Sequence, residues 1–544
     1  AELARLGAMG PAARRSLLID AEARRLALSL PGAPLIAAGS TGSIPATARL
    51  LSVIARLPLG AVILPGLDQD LDDEAWLQLP QQHPQFGLKR LLATMEVDRR
   101  EVVELPSPSG RVNAAKRRLF SEVMRPASNT ERWRDLVTGM TSADLAEATS
   151  GLELIEAPGQ REEALAIAMI MREVLETPGR TAALITPDRN LSRRVASELA
   201  RWDIGVNDSA GRPLTQTPEG AFLFLLLDVA LNRFAPVPVL SLLKHPLAGL
   251  GIEPRDLRRR ARLLERVALR GLTPPPGIEG LRQALGNARR QPSRNAPRLK
   301  DEEWAALEDL LDRLESALRP LTETLSIPGP ATVDVMARAH LEAAETVAVK
   351  DADGLSLWQG EAGKILASVF SGLLEEGSFG PPVDQATYPA LLRDLMASRV
   401  VRPAADRHPR LAIYGLLEAR LMRADVVILG GLNETIWPPV PQEDPWLNRP
   451  MRERIGLDLP ERRLGLAAHD FVQAVCADRV YATWSTKVGG SPAVPSRWIL
   501  RLKTLLAATG AEALVAPKSP WMTWVKALDR PDGQEKVGVP RPRP

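Results

Sequence analysis

Short runs of apolar residues alternate with helical patterns at both ends of this chain, and that alternation most restricts its fold. Strand-like runs at 34–38 and 61–64 bracket a helical pattern at 46–57, and the order strand, helix, strand recurs within 152–186. Strands that alternate with helices usually lie parallel in one sheet with the helices on its faces. The pattern therefore predicts α/β domains.

Strand patterns disappear from about 234 to 395, where helical segments broken by proline and glycine predominate. They return at 411–414, 426–429 and 480–484, and a short edge strand is expected within the loop 203–214. A stretch of about 160 residues is large enough to form a domain of its own. We therefore expect an α/β domain interrupted by a helical insertion.

Cysteine and histidine usage excludes several kinds of site. The single cysteine, Cys476, excludes a disulfide framework and a cysteine-ligated metal cluster within the chain, and the five histidines lack ligand spacing. The most apolar run, 221–231, is too short to cross a bilayer and contains Asp228, so it predicts a buried helix. We expect a cytoplasmic protein with no metal site and no membrane partner.

Arginines are concentrated at 255–270, a segment that contains seven of them and only two acidic residues. The overall net charge of +3 says little about partners, but a local cluster can follow a DNA backbone and release its counterions. Arg258, Arg259 and Arg262 are therefore candidate DNA-binding residues. The alternative is a solvated helix face, the commoner origin of such a run.

The most informative motif occupies 414–439. It reads YGLLEAR, then the apolar strand, then GGLNETIWPP. A loop that carries Glu418 can lie near a nucleotide or DNA phosphate, and Gly430 and Gly431 would let the backbone approach DNA closely. The alternative is an ordinary strand flanked by turns, with Trp437 in the core.

This motif resembles the "KGLE" loop, buried strand and "GL-x-E-G-x-(F/W)-P" segment of superfamily 1 helicases of the UvrD/RecB type. Together with the segments that follow, its order is similar to the AddB family, subunits of the bacterial AddAB helicase–nuclease of double-strand break repair. The resemblance extends over most of the chain and is weakest in the helical insertion. The further segments that carry it are at 39–47, 64–68, 83–87, 186–189, 244–247, 444–452, 460–471, 480–483 and 495–502.

The resemblance implies an α/β fold of RecA-like superfamily 1 helicase domains (UvrD/RecB/RecC-like) with a largely helical insertion. The expected boundaries are 1–150 for the C-terminal part of a first RecA-like domain, 151–235 and 401–515 for the two parts of a second, 236–400 for the insertion, and 516–544 for a linker towards a nuclease domain. We expect the chain to be a fragment of a longer subunit.

The resemblance also suggests roles for individual residues. The ERRL sequence at 461–464 matches helicase motif VI, so Arg462 and Arg463 join Glu418 as candidate nucleotide- or phosphate-binding residues. Arginine suits this role because it is always charged and binds phosphate in a bidentate manner. Trp437 corresponds to the DNA-facing turn of the relatives, where its ring would stack on bases.

Several departures from active relatives indicate a degenerate motor. The lysine of "KGLE" is replaced, the arginine of a later "T-R-A" triplet is absent from 483–485, and no GxxxxGK[ST] occurs. The GSTGS loop at 39–43 follows a strand but has no lysine. ATP binding is therefore not expected to rest on these residues.

The resulting hypothesis is a DNA-binding, helicase-like and motor-inactive part of a double-strand break repair helicase–nuclease subunit. No catalytic residue and no cofactor are expected in this chain; ATP and Mg²⁺ would belong to the complete complex, and an iron–sulfur cluster to a downstream nuclease domain. The implied partners are DNA ends, single-stranded tails and an AddA-type subunit. The alternatives are an active ATP-dependent helicase whose first motifs lie outside the chain, and a non-catalytic scaffold.

Overall fold

The structure is a computed structural model that describes residues 7–105, 114–291, 297–350, 354–402, 408–441 and 444–528. It divides into two compact units. Unit 1 comprises Ala1–Ser209 and Asp406–Pro544, and unit 2 comprises Ala210–Ala405. A chain that leaves one unit, builds a second and returns is the interrupted arrangement that the strand pattern predicted.

The first part of unit 1 alternates helices and strands. Its elements are α1 (Pro11–Leu28), β1 (Leu35–Ala38), α2 (Pro45–Ala55), β2 (Gly60–Ile63), α3 (Asp73–Leu77), α4 (Phe86–Met95), α5 (Ala114–Met124), α6 (Trp133–Gly139), α7 (Ser142–Ala148), β3 (Leu152–Ala157), α8 (Gln160–Leu175), β4 (Ala182–Ile185), α9 (Arg189–Ala200) and β5 (Asn207–Asp208).

Unit 2 is built from helices, with a few two-residue strands in its described part. Its elements are β6 (Arg212–Pro213), α10 (Pro218–Leu231), α11 (Pro236–Leu243), α12 (Pro254–Leu264), α13 (Ile278–Arg290), α14 (Asp301–Ser326), α15 (Val333–Ala348), β7 (Val349–Lys350), β8 (Gly354–Leu355), α16 (Gly360–Glu376), α17 (Thr387–Ala397) and β9 (Val400–Val401).

The chain then completes unit 1. The returning elements are β10 (Leu411–Tyr414), β11 (Val426–Leu429), α18 (Arg449–Arg454), α19 (Arg462–Val475), β12 (Val480–Ser485), β13 (Lys487–Val488), β14 (Ser491–Pro492), α20 (Arg497–Ala508) and α21 (Trp521–Leu528).

A six-stranded parallel sheet forms the centre of unit 1, in the order β3-β12-β11-β4-β10-β5. In the register, Ile428 of β11 lies opposite Leu184 of β4 on one side and Tyr481 of β12 on the other. All six carboxyl ends meet at one edge, which is where open α/β sheets usually place ligands. The predicted α/β class is therefore confirmed.

Helices cover both faces of this sheet, as the continuous apolar strands require. Val427 and Leu429 of β11 belong to the core shared with α5, α19 and α20, whereas Val426 and Ile428 face α8 and α9. Successive side chains of a strand point to opposite faces, so one short strand joins both cores.

The parallel pair β1 and β2 forms a smaller sheet in unit 1, beneath α2 and α4. The chain that follows β2 packs closely on α19. A Cβ at Gly465 would lie 2.5 Å from the carbonyl oxygen of Gln81, so glycine permits this approach. The close packing brings α4 and α19 side by side and builds the walls of the cleft described below.

The core of unit 2 is formed within that unit by its helices and short strands. Helix α10, which contains the apolar run 221–231, is buried on almost every side, as predicted. His340 contacts the hydroxyl group of Tyr388 at 3.2 Å and the carbonyl oxygen of Leu223 at 3.1 Å. Burial lowers the pKa of His340 to about 4, which makes it a neutral core residue near pH 7.

Unit 2 begins earlier than the predicted insertion because α10 needs other helices to cover its apolar surface. Residues 210–235, which the pattern assigned to the α/β part, therefore lie in unit 2. Of the predicted linker 516–544, residues 521–528 form α21, in which Trp521 is 2% exposed and packs on Tyr481. Residues 529–544 lie outside the described part. Among the described helices, none combines the length and the apolar character needed to cross a membrane.

Candidate phosphate-binding site

A cleft of about 610 Å³ opens in unit 1 between α2, α4 and the segment that leads into α19. Its wall contains five arginines and one carboxylate. The lining residues are Gly42, Pro45, Ala48, Arg49, Arg90, Leu91, Thr94, Arg452, Gly456, Leu457, Asp458, Leu459, Pro460, Arg462, Arg463 and Leu466. An excess of arginine in a concave site favours an anionic ligand.

Arg462, at the start of α19, is the most unusual residue of the cleft. It is 4% exposed, and its Nε, Nη1 and Nη2 atoms are all buried without a hydrogen-bond partner. The guanidinium carbon lies 5.4 Å from the ring centroid of Phe86, and the space above Gly87 holds Nη2, because a Cβ there would be only 2.3 Å away. Buried charged groups are normally hydrogen-bonded, so these three nitrogens need an acceptor.

The charges around Arg462 increase the free-energy cost of burying its guanidinium group without a hydrogen-bond acceptor. Burial lowers the pKa of Arg462, and the positive charges of Arg90 and Arg420 lower it further, while Asp458 opposes them. An anion that entered the cleft would reverse this balance. Once the buried guanidinium turned towards it, the anion would accept hydrogen bonds from the N–H groups and compensate their charge.

The remaining arginines of the cleft differ in their partners. Three of them are ion-paired, and Arg463 is exposed. The pairs are Arg49 with Asp20 at 2.8 Å, Arg90 with Asp458 at 2.6 Å, and Arg452 with Asp444 at 2.7 Å. Within the part of the chain that the structure describes, Arg462 and Arg463 therefore remain without a carboxylate partner.

Two helix N-termini add to this positive charge. Gly42 and Pro45 lie at the N-terminal end of α2, and Pro460 and Arg462 lie at that of α19. The helix dipole makes such ends favourable for phosphate, although at α19 the N–H groups of Arg462, Arg463 and Leu464 already donate to the carbonyl oxygens of Leu459, Pro460 and Glu461. A phosphate monoester carries a charge of about −1.5 to −2 at neutral pH. That charge balances the two unpaired arginines.

Glu418 is not brought into this site. It is exposed in the loop after β10, where a Cβ at Gly415 would lie 2.5 Å from its carboxylate, and it does not line the cleft. Of the three candidate phosphate-binding residues, the structure therefore places Arg462 and Arg463 together and Glu418 elsewhere.

The predicted DNA contacts of Gly430 and Gly431 are wrong, because both glycines are buried. A Cβ at Gly430 would lie 2.8 Å from the side chain of Leu184, so this glycine serves close packing of the core. The backbone N–H of Gly431 donates to Glu163 Oε1 at 2.8 Å and has no capacity left for a phosphate.

The predicted base-stacking role of Trp437 is also wrong. Its ring is 0% exposed and meets Phe471 and Trp498 edge-on, with centroids 6.1 and 6.2 Å apart. The indole N–H donates to the carbonyl oxygen of Gly430 at 3.1 Å. With both its faces and its N–H occupied in the core, Trp437 cannot stack on a base.

Sequence reasoning missed Glu163, which holds the carboxyl edge of the large sheet together. Besides the N–H of Gly431, its buried carboxylate accepts from the hydroxyl groups of Thr483, at 2.7 Å, and Ser485. Burial raises the pKa of Glu163, and its three donors oppose that shift. Its position in the acidic first turn of α8 resembles an ordinary helix start, so no local signal identified it.

In unit 2 the predicted DNA-binding arginines of α12 have different surroundings. Arg258 and Arg262 are exposed, whereas Arg259 pairs with Asp256 at 3.1 Å and with Glu303 at 3.3 Å. Asp256 of the same helix and Glu303 of α14 thus balance Arg259, whereas Arg258 and Arg262 have no such pair among the described residues.

Comparison with known proteins found no protein-family model and no curated protein that matches this chain.

Proposed function

We propose that this chain is the helicase-like, motor-inactive part of a DNA-break repair subunit, and that the cleft around Arg462 binds a phosphate group of DNA or of a nucleotide. The observation that carries the proposal is Arg462, a buried guanidinium without an acceptor that lines a cleft rich in arginine. Desolvation of a charged group costs free energy unless another hydrogen-bond acceptor, such as a ligand, replaces the water.

The fold supports this proposal through the position of the motif. The ERRL sequence begins α19, which packs beneath the large parallel sheet, and its two arginines both reach the cleft. The opposite wall, built mainly by α2 and α4, includes Gly42 of the turn between β1 and α2, a glycine-containing strand-to-helix turn of the kind that binds phosphates in RecA-like domains. We infer that the two sets of α/β elements correspond to RecA-like superfamily 1 domains.

The same turn supports the absence of motor activity. The GSTGS loop at 39–43 has no lysine to reach the β- and γ-phosphates, and Gly42 donates its N–H to Ser40 Oγ at 3.2 Å. We therefore propose that the cleft binds phosphate without hydrolysing ATP. An AddA-type subunit would then supply the motor, with DNA ends and single-stranded tails as the shared substrate.

The first experiment measures binding of pyrophosphate, ADP and a 5′-phosphorylated 20-nucleotide DNA to the chain by calorimetry at low salt. Arg462→Met should weaken binding of the ligand that the cleft takes by about tenfold or more, since a hydrogen bond to a charged group contributes about 1.5–3 kcal/mol. Arg462→Lys, which keeps the charge but not the planar fork, should bind with intermediate affinity.

Arg194→Met is the matched control, because Arg194 is exposed on α9 and does not line the cleft. It should bind like the wild type. Equal affinity of Arg462→Met and the wild type for all three ligands would refute the phosphate site, and no DNA binding at low salt would refute the DNA-handling function as well.

A second experiment tests the motor. ATP turnover is measured with and without DNA, first for the chain alone and then with an AddA-type subunit. We expect turnover only with the second subunit. DNA-stimulated turnover by the chain alone would instead establish an active superfamily 1 ATPase.

A further inference from the structure

The fold divides the arginines of α12 in unit 2 into two sets, one with ion pairs and one without any among the described residues. Helix α12 continues into a π-helical turn at Glu265–Leu269, so that one helical segment carries every arginine of the cluster except Arg270. Arg260, which is largely buried, pairs with Asp256 at 2.7 Å and with Asp309 of α14 at 2.8 Å. Arg259 pairs on the same side, so α14 neutralises this part of the cluster.

The second set is a row of exposed arginines: Arg255, Arg258, Arg262 and Arg266. In the part of the chain that the structure describes, none of the four has an ion pair. Their spacing of three, four and four residues places them on one face of the helix. The buried residues of the same segment, Leu257, Ala261 and Leu264, lie on the opposite face. This arginine row is therefore an uncompensated line of charge on a helix that is anchored in the core.

The dimensions of the arginine row suit a phosphate backbone. A rise of about 1.5 Å per residue puts Arg255 and Arg266 about 16 Å apart along the helix. Each strand of duplex DNA carries one phosphate per about 3.4 Å of its axis, so a length of 16 Å spans about five phosphates. Four long side chains at intervals of about one helical turn can each reach a phosphate along such a line.

The chemistry of this surface favours nucleic acid over a protein partner. Every residue from 255 to 266 that is exposed is an arginine. Protein–protein interfaces are depleted of charge at their centre and enriched in aromatic residues, whereas interfaces with DNA are polar and strongly positive. A surface that offers guanidinium groups and no exposed apolar residue matches the second type.

We propose that the arginine row of unit 2 binds the phosphate backbone of nucleic acid, without reading its sequence, as a contact surface additional to the cleft of unit 1. The inference rests on the proposed function for the class of its ligand. Beyond that function, it names the surface that contacts the phosphate backbone and the four arginines that make the contacts. Because the contacts are to phosphates, affinity should depend strongly on salt and hardly on base sequence.

The test uses the full chain and two unrelated 20-base-pair duplexes, with binding followed by fluorescence anisotropy from 50 to 300 mM NaCl (about the range over which phosphate contacts are screened). The variant replaces all four arginines of the row by glutamine. We expect affinity to fall at least tenfold for both duplexes. The slope of log K against log[NaCl] should decrease by about 3–4, at about 0.9 per lost phosphate contact.

The control variant removes the same charge elsewhere, with glutamine at Arg193, Arg194, Arg319 and Arg338, which are exposed and have no ion pair among the described residues. It should keep most of the wild-type slope, and circular dichroism should show both variants folded. If the two variants lose affinity equally, the row has no special role and the proposal is overturned.

Three further outcomes separate this proposal from others. If the wild type binds DNA and the row variant binds it equally well, the proposal for the arginine row is overturned while the proposed function stands. If the wild type binds no DNA, both fail. Poly-glutamate that competes as well as DNA of equal charge would overturn the assignment to nucleic acid in favour of an acidic protein.

Discussion

The carboxyl edge of the large sheet and the arginine cleft both belong to unit 1, and both contain residues that the motifs singled out. At the sheet edge, Glu163, Gly431 and Trp437 have hydrogen-bond partners within the fold. In the cleft, Arg462 has none. A polar group whose partners are internal stabilises the structure, whereas a buried charge without a partner lacks the acceptor that such groups normally have. Hydrogen-bond satisfaction, rather than membership of a motif, therefore distinguishes the two regions.

The largest effect should come from Trp437→Ala. Removal of a fully buried indole should lower the free energy of unfolding by about 3–5 kcal/mol, measured by urea denaturation, while the affinity of the folded protein for DNA stays unchanged. A change below about 1 kcal/mol, together with a tenfold loss of DNA affinity, would mean that Trp437 contacts DNA and that the comparison is invalid.

Glu163→Gln should destabilise unit 1 by about 1–3 kcal/mol at neutral pH, because one donor at the sheet edge then faces an amide NH₂. Glu162→Gln, in the same helical turn but not fully buried, is the matched control and should be close to neutral.

The pH dependence of Glu163 has a defined sign. Burial raises its pKa above the ordinary value of 4.5, so between these two values the folded protein binds more protons than the unfolded chain. Its contribution to stability is therefore full below pH 4.5 and decreases as pH rises towards the raised pKa. Glu163→Gln should remove this part of the slope, and an unchanged slope would assign it to another group.

Arg462→Met should stabilise the protein, in contrast to Trp437→Ala and Glu163→Gln. Replacing an uncompensated buried charge by an apolar side chain of similar length should raise the free energy of unfolding by about 1 kcal/mol in the absence of ligand. Pyrophosphate should raise the melting temperature of the wild type but not of this variant. A variant that is less stable than the wild type would show that Arg462 has a structural role.

Arg463→Gln should have the smallest effect, since Arg463 is exposed and water screens its charge. Stability should change by less than about 0.5 kcal/mol and pyrophosphate affinity by about two- to threefold. The ratio of this loss to that of Arg462→Met measures how much burial strengthens a phosphate contact. Equal losses would remove the distinction between the two arginines.

The positions of the strands could be predicted almost to the residue. The runs at 411–414 and 426–429 coincide with β10 and β11, and the edge strand within 203–214 is Asn207–Asp208. Apolar runs and their spacing are local, so they are visible in one dimension. The extent of unit 2 was less clear, because α10 is apolar on all sides and its neighbours decide which core it joins.

The candidate site was only partly visible. The ERRL motif identified Arg462 and Arg463, but Arg49 and Arg90 reach the same cleft from helices about 370–410 positions earlier. Motif reasoning also selected Gly431 and Trp437, which the fold uses internally. Residue type indicates what a side chain can do, but not whether its hydrogen-bonding capacity is already used.

From the sequence alone, the α/β class, the helical insertion and the presence of arginines within an ordered set of motifs were determined. Only the tertiary structure decided which polar groups have a hydrogen-bond or ion-pair partner. Gly431 and Glu163 are 268 positions apart, and Arg259 differs from Arg258 because α14 places Glu303 beside one and not the other. Hydrogen bonds and ion pairs act over a few ångströms in space, so their partners are set by packing and not by neighbours along the chain.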